Sequence, residues 1–376
     1  MADFINPYRD KSTIKALAKK INVIAKNLKE ELYIMEVCGG HTHTLMKYGL
    51  KNLIDSDSIH FIHGPGCPVC IMPKARISQA YALAMIPDVI LVTLGDMIKV
   101  PGQFGSLADA RAKGADVRFV YSPIDCLQIA KDNPQKKIVY FAIGFETTTP
   151  MSAALLQRAI KDNITNLYLH INHVLVPPPV RNILNDKRVK VNALIAPSHV
   201  SVISGAKIYI PLAKDYSIPI VISGFEPVDM LESIARIIQQ KIRGESMVET
   251  QYSRVVNMEG NAKAQKLIET YFDIAPSFIW RGLGEIKHSS WCLKDDFSQY
   301  NAESHFTIKE IDSKESRHCL CGEILKGLAK PKDCKVFGKG CTPSKPIGSC
   351  MVSSEGACSA YYKYGSLEKQ ISKEYS

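Results

Sequence analysis

The sequence predicts an α/β protein: two parallel-sheet units with crossover helices, followed by a small cysteine-rich region. Three observations carry this. Strand-sized apolar runs alternate with helix-sized stretches from residue 31 to about residue 241, the pattern of parallel strands joined by helices. Nearly every polar or unusual motif falls just past the end of an apolar run, the edge where open α/β sheets bind ligands. Beyond residue 253 the alternation stops, and six cysteines crowd into residues 319–358.

The elements follow in order. A lysine-rich amphipathic helix is expected over 14–28. Strands are expected at 31–37, 59–63, 89–94, 118–121, 138–143, 167–172, 193–196 and 218–222. Helices are expected between them, including one over 71–85 with Pro73 in its first turn, where proline is tolerated, and a last one over 228–241. The eight strands divide into two sets of four at the polar stretch 131–137. The expected domains are therefore 30–136, 137–245 and a third unit of 246–376 joined by residues 1–29. A short echo, Gly144-Phe-Glu146 and Gly224-Phe-Glu226, is in keeping with two similar units.

Composition narrows the function. The 376 residues are 46% hydrophobic and 22% charged, ordinary for a globular protein. No apolar run approaches a membrane span, and the opening segment has no basic-then-apolar leader pattern. A cytoplasmic protein without a membrane partner is expected. The net charge of +10, from 47 basic and 37 acidic residues, is scattered. No motif that reads bases accompanies it, so nucleic acid is not an expected partner; an acidic protein surface suits the charge equally well.

The chemistry concentrates in three places. His63-Gly-Pro-Gly-Cys67-Pro-Val-Cys70 sets two thiols where a strand hands over to a helix. Nearby N–H groups and the helix dipole there lower a thiol pKa from about 8.5 towards roughly 3.5–7.5, favouring a redox pair; half of a structural zinc site is the alternative. Cys38-Gly-Gly-His41 places a thiol beside an imidazole, suited to a soft metal, to a Cys–His nucleophile, or to a buried cysteine of no chemical role. His43 should point away once a helix has begun. Thr147–Thr149 read as helix caps.

The third place is the run of Cys319, Cys321, Cys334, Cys341, Cys350 and Cys358. A disulfide framework does not suit a reducing compartment, and zinc would want paired short Cys-x₂₋₄-Cys knuckles. The gaps of fourteen, six and sixteen residues between Cys319, Cys334, Cys341 and Cys358 suit four thiolates on a [4Fe–4S] cluster, with prolines and glycines letting the loops wrap around it.

Cys38-Gly-Gly-His-Thr, Gly64-Pro-Gly-Cys-Pro-Val-Cys70, Gly144-Phe-Glu-Thr-Thr, Pro197-Ser-His-Val-Ser, Ser223-Gly-Phe-Glu-Pro and Cys341-Thr-Pro…Cys350-Met-Val-Ser-Ser-Glu-Gly-Ala-Cys358 together resemble the HypD family of [NiFe]-hydrogenase maturation factors. The resemblance spans roughly residues 10–365. It implies two similar α/β domains facing across a cleft and a third domain holding a [4Fe–4S] cluster. It also implies a redox-active scaffold that carries the Fe(CN)₂CO unit, together with a HypC-type chaperone and a HypE-type cyanide donor. By motif match Cys38 would bind the iron with His41 beside it, and Cys67 and Cys70 would be the redox pair. Cys319, Cys334, Cys341 and Cys358 would hold the cluster, with Cys319 preferred over Cys321 on the family's spacing. Glu355 and His199 match further functional positions; Ser198, where an alanine-like residue is expected, is the one departure. The competing reading is a [4Fe–4S]-dependent thiol–disulfide reductase, to which Cys38-Gly-Gly-His41 would be superfluous.

Overall fold

The computed structural model describes residues 5–54, 57–308, 311 and 316–366. All eight expected strands are present: β1 (Leu32–Glu36), β2 (Ile59–His63), β3 (Val89–Leu94), β4 (Asp116–Val120), β5 (Lys137–Gly144), β6 (Leu167–His173), β7 (Ala193–Pro197) and β8 (Ile220–Ser223). A ninth, β9 (Val248–Thr250), pairs with β8. They form two parallel sheets, in the orders β2-β1-β7-β8-β9 and β4-β3-β5-β6.

This pairing corrects the grouping expected from the sequence. β1 and β2 do not join β3 and β4; β1 pairs with β7, Ile34 opposite Ala193. The polar stretch 131–137 does not separate sheets either, because β5, which follows it, pairs with β3. One sheet thus draws its strands from both expected domains, 30–136 and 137–245, and the other sheet does the same. Alternation reveals that crossovers exist, but it does not reveal which parallel neighbour a strand selects.

Period-two burial explains how the sheets sit. Met35, Leu194, Ile220 and Ile222 from one sheet share a single core with Leu91, Val139, Phe141 and Ile143 from the other. Their alternate residues face outward under helices: Ile34, Ile195 and Val221 on one side, Ile90, Ile138 and Tyr140 on the other. Strands buried on both faces read as continuous apolar runs, which is why they are legible in the sequence.

The first long helix runs Lys11–Ala25, a little earlier than expected, because the Asp10 carboxylate caps it by accepting from the Thr13 N–H at 2.8 Å. Its buried residues Ile14, Ala18, Ile21 and Ala25 fall on one face and pack with Ile234, Ile237 and Ile238 of the helix Pro227–Arg243. The helix expected over 71–85 is two, Pro68–Ile71 and Lys74–Ala84. Pro73 breaks the run, since the residue before a proline is driven out of helical conformation: Met72 is extended, with ψ 121°.

The third region is woven into the rest. Two antiparallel pairs, β10 (Phe272–Ile274) with β13 (Trp291–Leu293) and β11 (Ser277–Trp280) with β12 (Gly284–Lys287), lie beside the four-stranded sheet. Trp280, Ile286, Phe306, Cys321, Leu325 and Cys350 belong to the shared central core. Among the described residues no helix is long and apolar enough to cross a membrane.

Ile21 is fully buried. Its replacement by alanine is expected to lower unfolding free energy by about 2–5 kcal/mol, read from the urea midpoint with an unchanged slope.

Candidate functional site

In the five-stranded sheet the chain leaves β1 on one side to reach β2, while β7 lies on its other side. Between β1 and β7 is a topological switch point, and the crevice beyond the carboxyl ends of such strands is where α/β sheets bind ligands. Cys38 follows β1 and His199 follows β7. Cys38 Sγ lies 3.8 Å from His199 Nδ1.

Two glycines let other segments close on this point. A β-carbon on Gly66 would stand 2.2 Å from Cys38 Cα, so the turn after β2 rests directly on the Cys38 backbone. A β-carbon on Gly39 would stand 2.2 Å from the Glu355 carbonyl oxygen, so the C-terminal segment presses on the same turn. Phe225, after β8, fills the remaining side: it stacks on His41, with centroids 4.8 Å apart, and lies against His199 at 5.4 Å. Cys38 and His41 therefore meet His199 and Glu355, which lie far from them in sequence.

Burial governs the electrostatics here. Cys38 is 2% exposed, and its thiol is pushed well above the usual range by burial, then by the charges of Glu355 and Glu36; the Gly40 and His41 N–H groups pull the other way. His41 is held down to about 3 by burial, although its Nε2–H donates to the Ser223 carbonyl at 3.2 Å. Burial likewise holds His199 at about 4. Glu355 is raised by burial and by Asp96, which follows β3 in the other sheet. At neutral pH the crevice holds a protonated thiol and neutral imidazoles. His43 points away as expected, edge-on to Tyr364.

The expected helix-terminus effect is overridden at Cys70. Cys67 caps the Pro68–Ile71 turn, its Sγ accepting from the Cys70 N–H at 3.3 Å. Yet Cys70 is pushed well up, by burial first and then by hydrogen bonding to Cys350 and Cys67. Burial shifts a fully enclosed group by as much as about 3–5 units, and a single helical turn does not offset that. Cys350 in turn stands 3.5 Å from Cys321, Sγ to Sγ. The thiols thus run in contact from Cys67 through Cys70 and Cys350 to Cys321.

That line ends on a small apolar cavity lined by Cys319, Cys321, Cys334, Cys341, Cys350 and Cys358, with Ile324, Val336, Phe337 and Met351. Among the described residues no three His, Cys, Asp or Glu side chains converge on a position for a single metal ion. The thiols surround a wider space instead, and the Ile347 N–H already donates to Cys341 Sγ at 3.3 Å. Six thiols around an apolar space, with a backbone N–H aimed at sulfur, fit an iron–sulfur cluster.

Several residues escape sequence reasoning. Glu36, fully buried at the end of β1, meets the Thr42 hydroxyl and His63 Nδ1. His63 Nε2 lies 3.1 Å from the Tyr361 hydroxyl, to which Lys51 donates at 3.1 Å. The only signal was a carboxylate closing the apolar run Leu-Tyr-Ile-Met-Glu. Phe225 lay inside the Gly-Phe-Glu echo with no role of its own, and Arg281 and Ser349 carried no signal. The threonines are not caps: Thr148 and Thr149 donate to the Phe145 carbonyl at 3.2 and 3.1 Å.

A family model named HypD and described as "Hydrogenase formation hypA family" matches residues 12–365. The hydrogenase maturation factor HypD of Rhizobium leguminosarum bv. viciae is 44% identical over 375 residues, covering 98% of this chain and 97% of that protein. The HypD of Escherichia coli K12 is 42% identical over 371 residues, 98% of this chain and 99% of its own length. The hydrogenase expression/formation protein HupD of Azotobacter chroococcum is 44% identical over 368 residues, 96% and 97% of the two chains.

Gly66→Ala is expected to destabilise the fold by about 3 kcal/mol, because all three close atoms are backbone. Gly95→Ala, with nothing within 4 Å, should stay within about 0.5 kcal/mol; paired urea titrations check this. Stability should also fall with pH. His41, His170, His173 and His199 are held at about 3 to 4, so between there and about 6.5 the unfolded chain binds more protons and stability drops as pH falls. Glu146, raised to about 7 by burial, and Glu36 and Glu355, also raised by burial, oppose them, but the four histidines outnumber these carboxylates. Urea midpoints at pH 7, 5.5 and 4.5 should decrease in that order.

Proposed function

Since the chain belongs to the HypD family of hydrogenase maturation factors, we propose that it is a redox-active scaffold on which the Fe(CN)₂CO unit of a [NiFe] hydrogenase is assembled. It works with a HypC-type chaperone and a HypE-type cyanide donor. The observation that carries this reading is the unbroken line of thiols from Cys67 to the six-cysteine cavity, starting from a turn that rests on Cys38.

Cys38 is the iron anchor. With its thiolate disfavoured by burial, the empty site is a protonated, unreactive thiol; an arriving iron cation reverses that balance and displaces the proton. Neutral His199, 3.8 Å away, accepts it. Phe225 and the pressed-on Glu355 segment keep water from the iron, and His41 keeps Phe225 in place by stacking. A soft thiolate in a dry crevice is the ligand that low-spin iron prefers.

Cys67 and Cys70 store electron pairs. Their disulfide takes two electrons and two protons to become two thiols; a one-electron donor protein would supply those electrons, with Cys321 or Cys350 as the intermediate on the cluster side of the pair. Cys319, Cys334, Cys341 and Cys358 hold the [4Fe–4S] cluster, which supplies one-electron transfer. Cys67 and Cys70 are 4% and 2% exposed, which argues against the alternative: a reductase of soluble disulfides must present a thiol to its substrate.

The test is infrared spectroscopy with iron analysis on the chain copurified with its chaperone. Wild type should show bound CO and CN⁻ bands and four cluster irons. Cys38→Ser should lose the bands and keep the four irons. Cys334→Ser should lose the irons and unfold more easily, as metal binding contributes folding energy. Bands persisting in Cys38→Ser would sink the anchor assignment.

A further inference from the structure

A β-carbon on Gly40 would stand 2.9 Å from Phe225 Cδ1 and 3.6 Å from Cys38 Sγ, so the phenyl ring and the thiol flank the same glycine. A recess of about 320 Å³ lies beside them, with Gly40, Phe225, Glu355, His43, Thr44 and Lys47 in its lining. It does not reach Cys38. The Phe225 ring therefore stands where the recess would otherwise open onto the thiol. Neither a strand nor a helix holds this residue: it lies in the turn between β8 and the helix Pro227–Arg243.

Asp229, fully buried in the first turn of that helix, fixes the turn from behind. Its Oδ2 accepts from the Glu226 N–H at 3.3 Å. Gln251 Nε2 donates to Asp229 Oδ1 at 2.9 Å, while Gln251 Oε1 accepts from the Gly224 N–H at 3.2 Å. The residues on either side of Phe225 are thus tied to one carboxylate. A β-carbon on Gly224 would stand 2.2 Å from Asp229 Oδ2, so the turn rests directly on it. Arg254 grips the same carboxylate with both arms of its fork, Nη1 to Oδ1 at 3.0 Å and Nη2 to Oδ2 at 2.9 Å. Its guanidinium lies 4.0 Å from the Tyr8 ring centroid and 3.9 Å from that of Tyr252. Bidentate pairing and stacking on aromatic faces are properties of a guanidinium that an ammonium lacks. Without the fork, a buried carboxylate is left against an amide and a backbone N–H, and the turn it organises loosens.

We propose that Arg254 is a positioning residue of the Cys38 site: stacked between Tyr8 and Tyr252, it fixes Asp229 and with it the Gly224–Glu226 turn, so that Phe225 keeps the thiol covered until iron arrives. This rests on the reading of Cys38 as the iron anchor. The segment that carries Tyr8 holds the turn at a second point, because the neighbouring Arg9 donates through Nη2 to Glu226 Oε1 at 2.7 Å.

A buried thiol reacts only from states in which the structure around it has opened. The experiment therefore alkylates the reduced full chain anaerobically with N-ethylmaleimide and follows each cysteine-containing peptide by mass spectrometry. Cys126, fully buried with Ile90 and Ile138 on the outer face of the four-stranded sheet, reports general loosening. Arg254→Gln should raise the Cys38 rate at least about tenfold and leave the Cys126 rate unchanged. Phe225→Ala should do the same, and adding Arg254→Gln to it should give no further rise, because both act through one contact. An unchanged Cys38 rate, an equal rise at Cys126, or additive effects in the double variant overturns the proposal. If Arg254→Gln does not fold, Tyr8→Ala, which removes one stacking ring, decides: a rise confined to Cys38 supports the proposal, and its absence overturns it. The assay uses no iron unit, so CO and CN⁻ bands persisting in Cys38→Ser would overturn the anchor reading and are told apart from a failure of the Arg254 clamp.

Discussion

The parallel pairing of β1 with β7 is the constraint on which the rest depends. It places two strand ends, separated by some 160 residues of chain, side by side, with their connections leaving in opposite directions. The crevice so formed holds Cys38 and His199, and nothing local to either residue would create it. The four-stranded sheet repeats the arrangement between β3 and β5, whose ends carry Asp96 and Glu146. The reach of Asp96's charge to Glu355 brings the two sheet edges into one electrostatic neighbourhood.

Close packing then converts a crevice into a dry site. Gly66 and Gly39 are glycine because backbone from another segment occupies the space a side chain would need. The same closeness removes water, and burial then dominates at Cys38, His41 and Glu36: the thiol rises, the histidine falls and the carboxylate rises. Opposite charges and N–H groups correct that trend only in part. Such a site is inert when empty and responds to an incoming cation, which suits a scaffold better than an enzyme that must meet substrate with a preformed nucleophile.

The line Glu36–His63–Tyr361–Lys51 shows how the cysteine-rich segment is tied to the first sheet. Tyr361 lies one helical turn beyond Cys358, on the helix Ala357–Tyr364. The segment therefore has two anchors, one polar through Tyr361 and one through the hairpin tip at Arg281, whose Nη1 donates to Ser349 Oγ at 3.0 Å. The two Gly-Phe-Glu motifs follow strands of different sheets, β5 and β8, with different outcomes: Glu146 is buried, accepting from the Val176 N–H at 3.0 Å, whereas Glu226 pairs with Arg9. A shared turn does not confer a shared role.

The sequence alone determined the eight strands, since residues buried on both faces leave uninterrupted apolar runs, and it determined which residue types carry the chemistry. Spacing marked out the cysteines, six of them within residues 319–358, and the six motifs together marked the family. Only the tertiary structure decided which strands pair, because parallel partners are chosen by crossover geometry at long range, and with that which motifs share a crevice. Glu36, Arg281 and Ser349 were silent, and Phe225 stood in a motif without a role, for the same reason: each acts through a neighbour far away in the chain. The thiol order Cys67, Cys70, Cys350, Cys321 likewise follows from packing, and the rise of the Cys70 thiol from burial that a local helix terminus cannot offset.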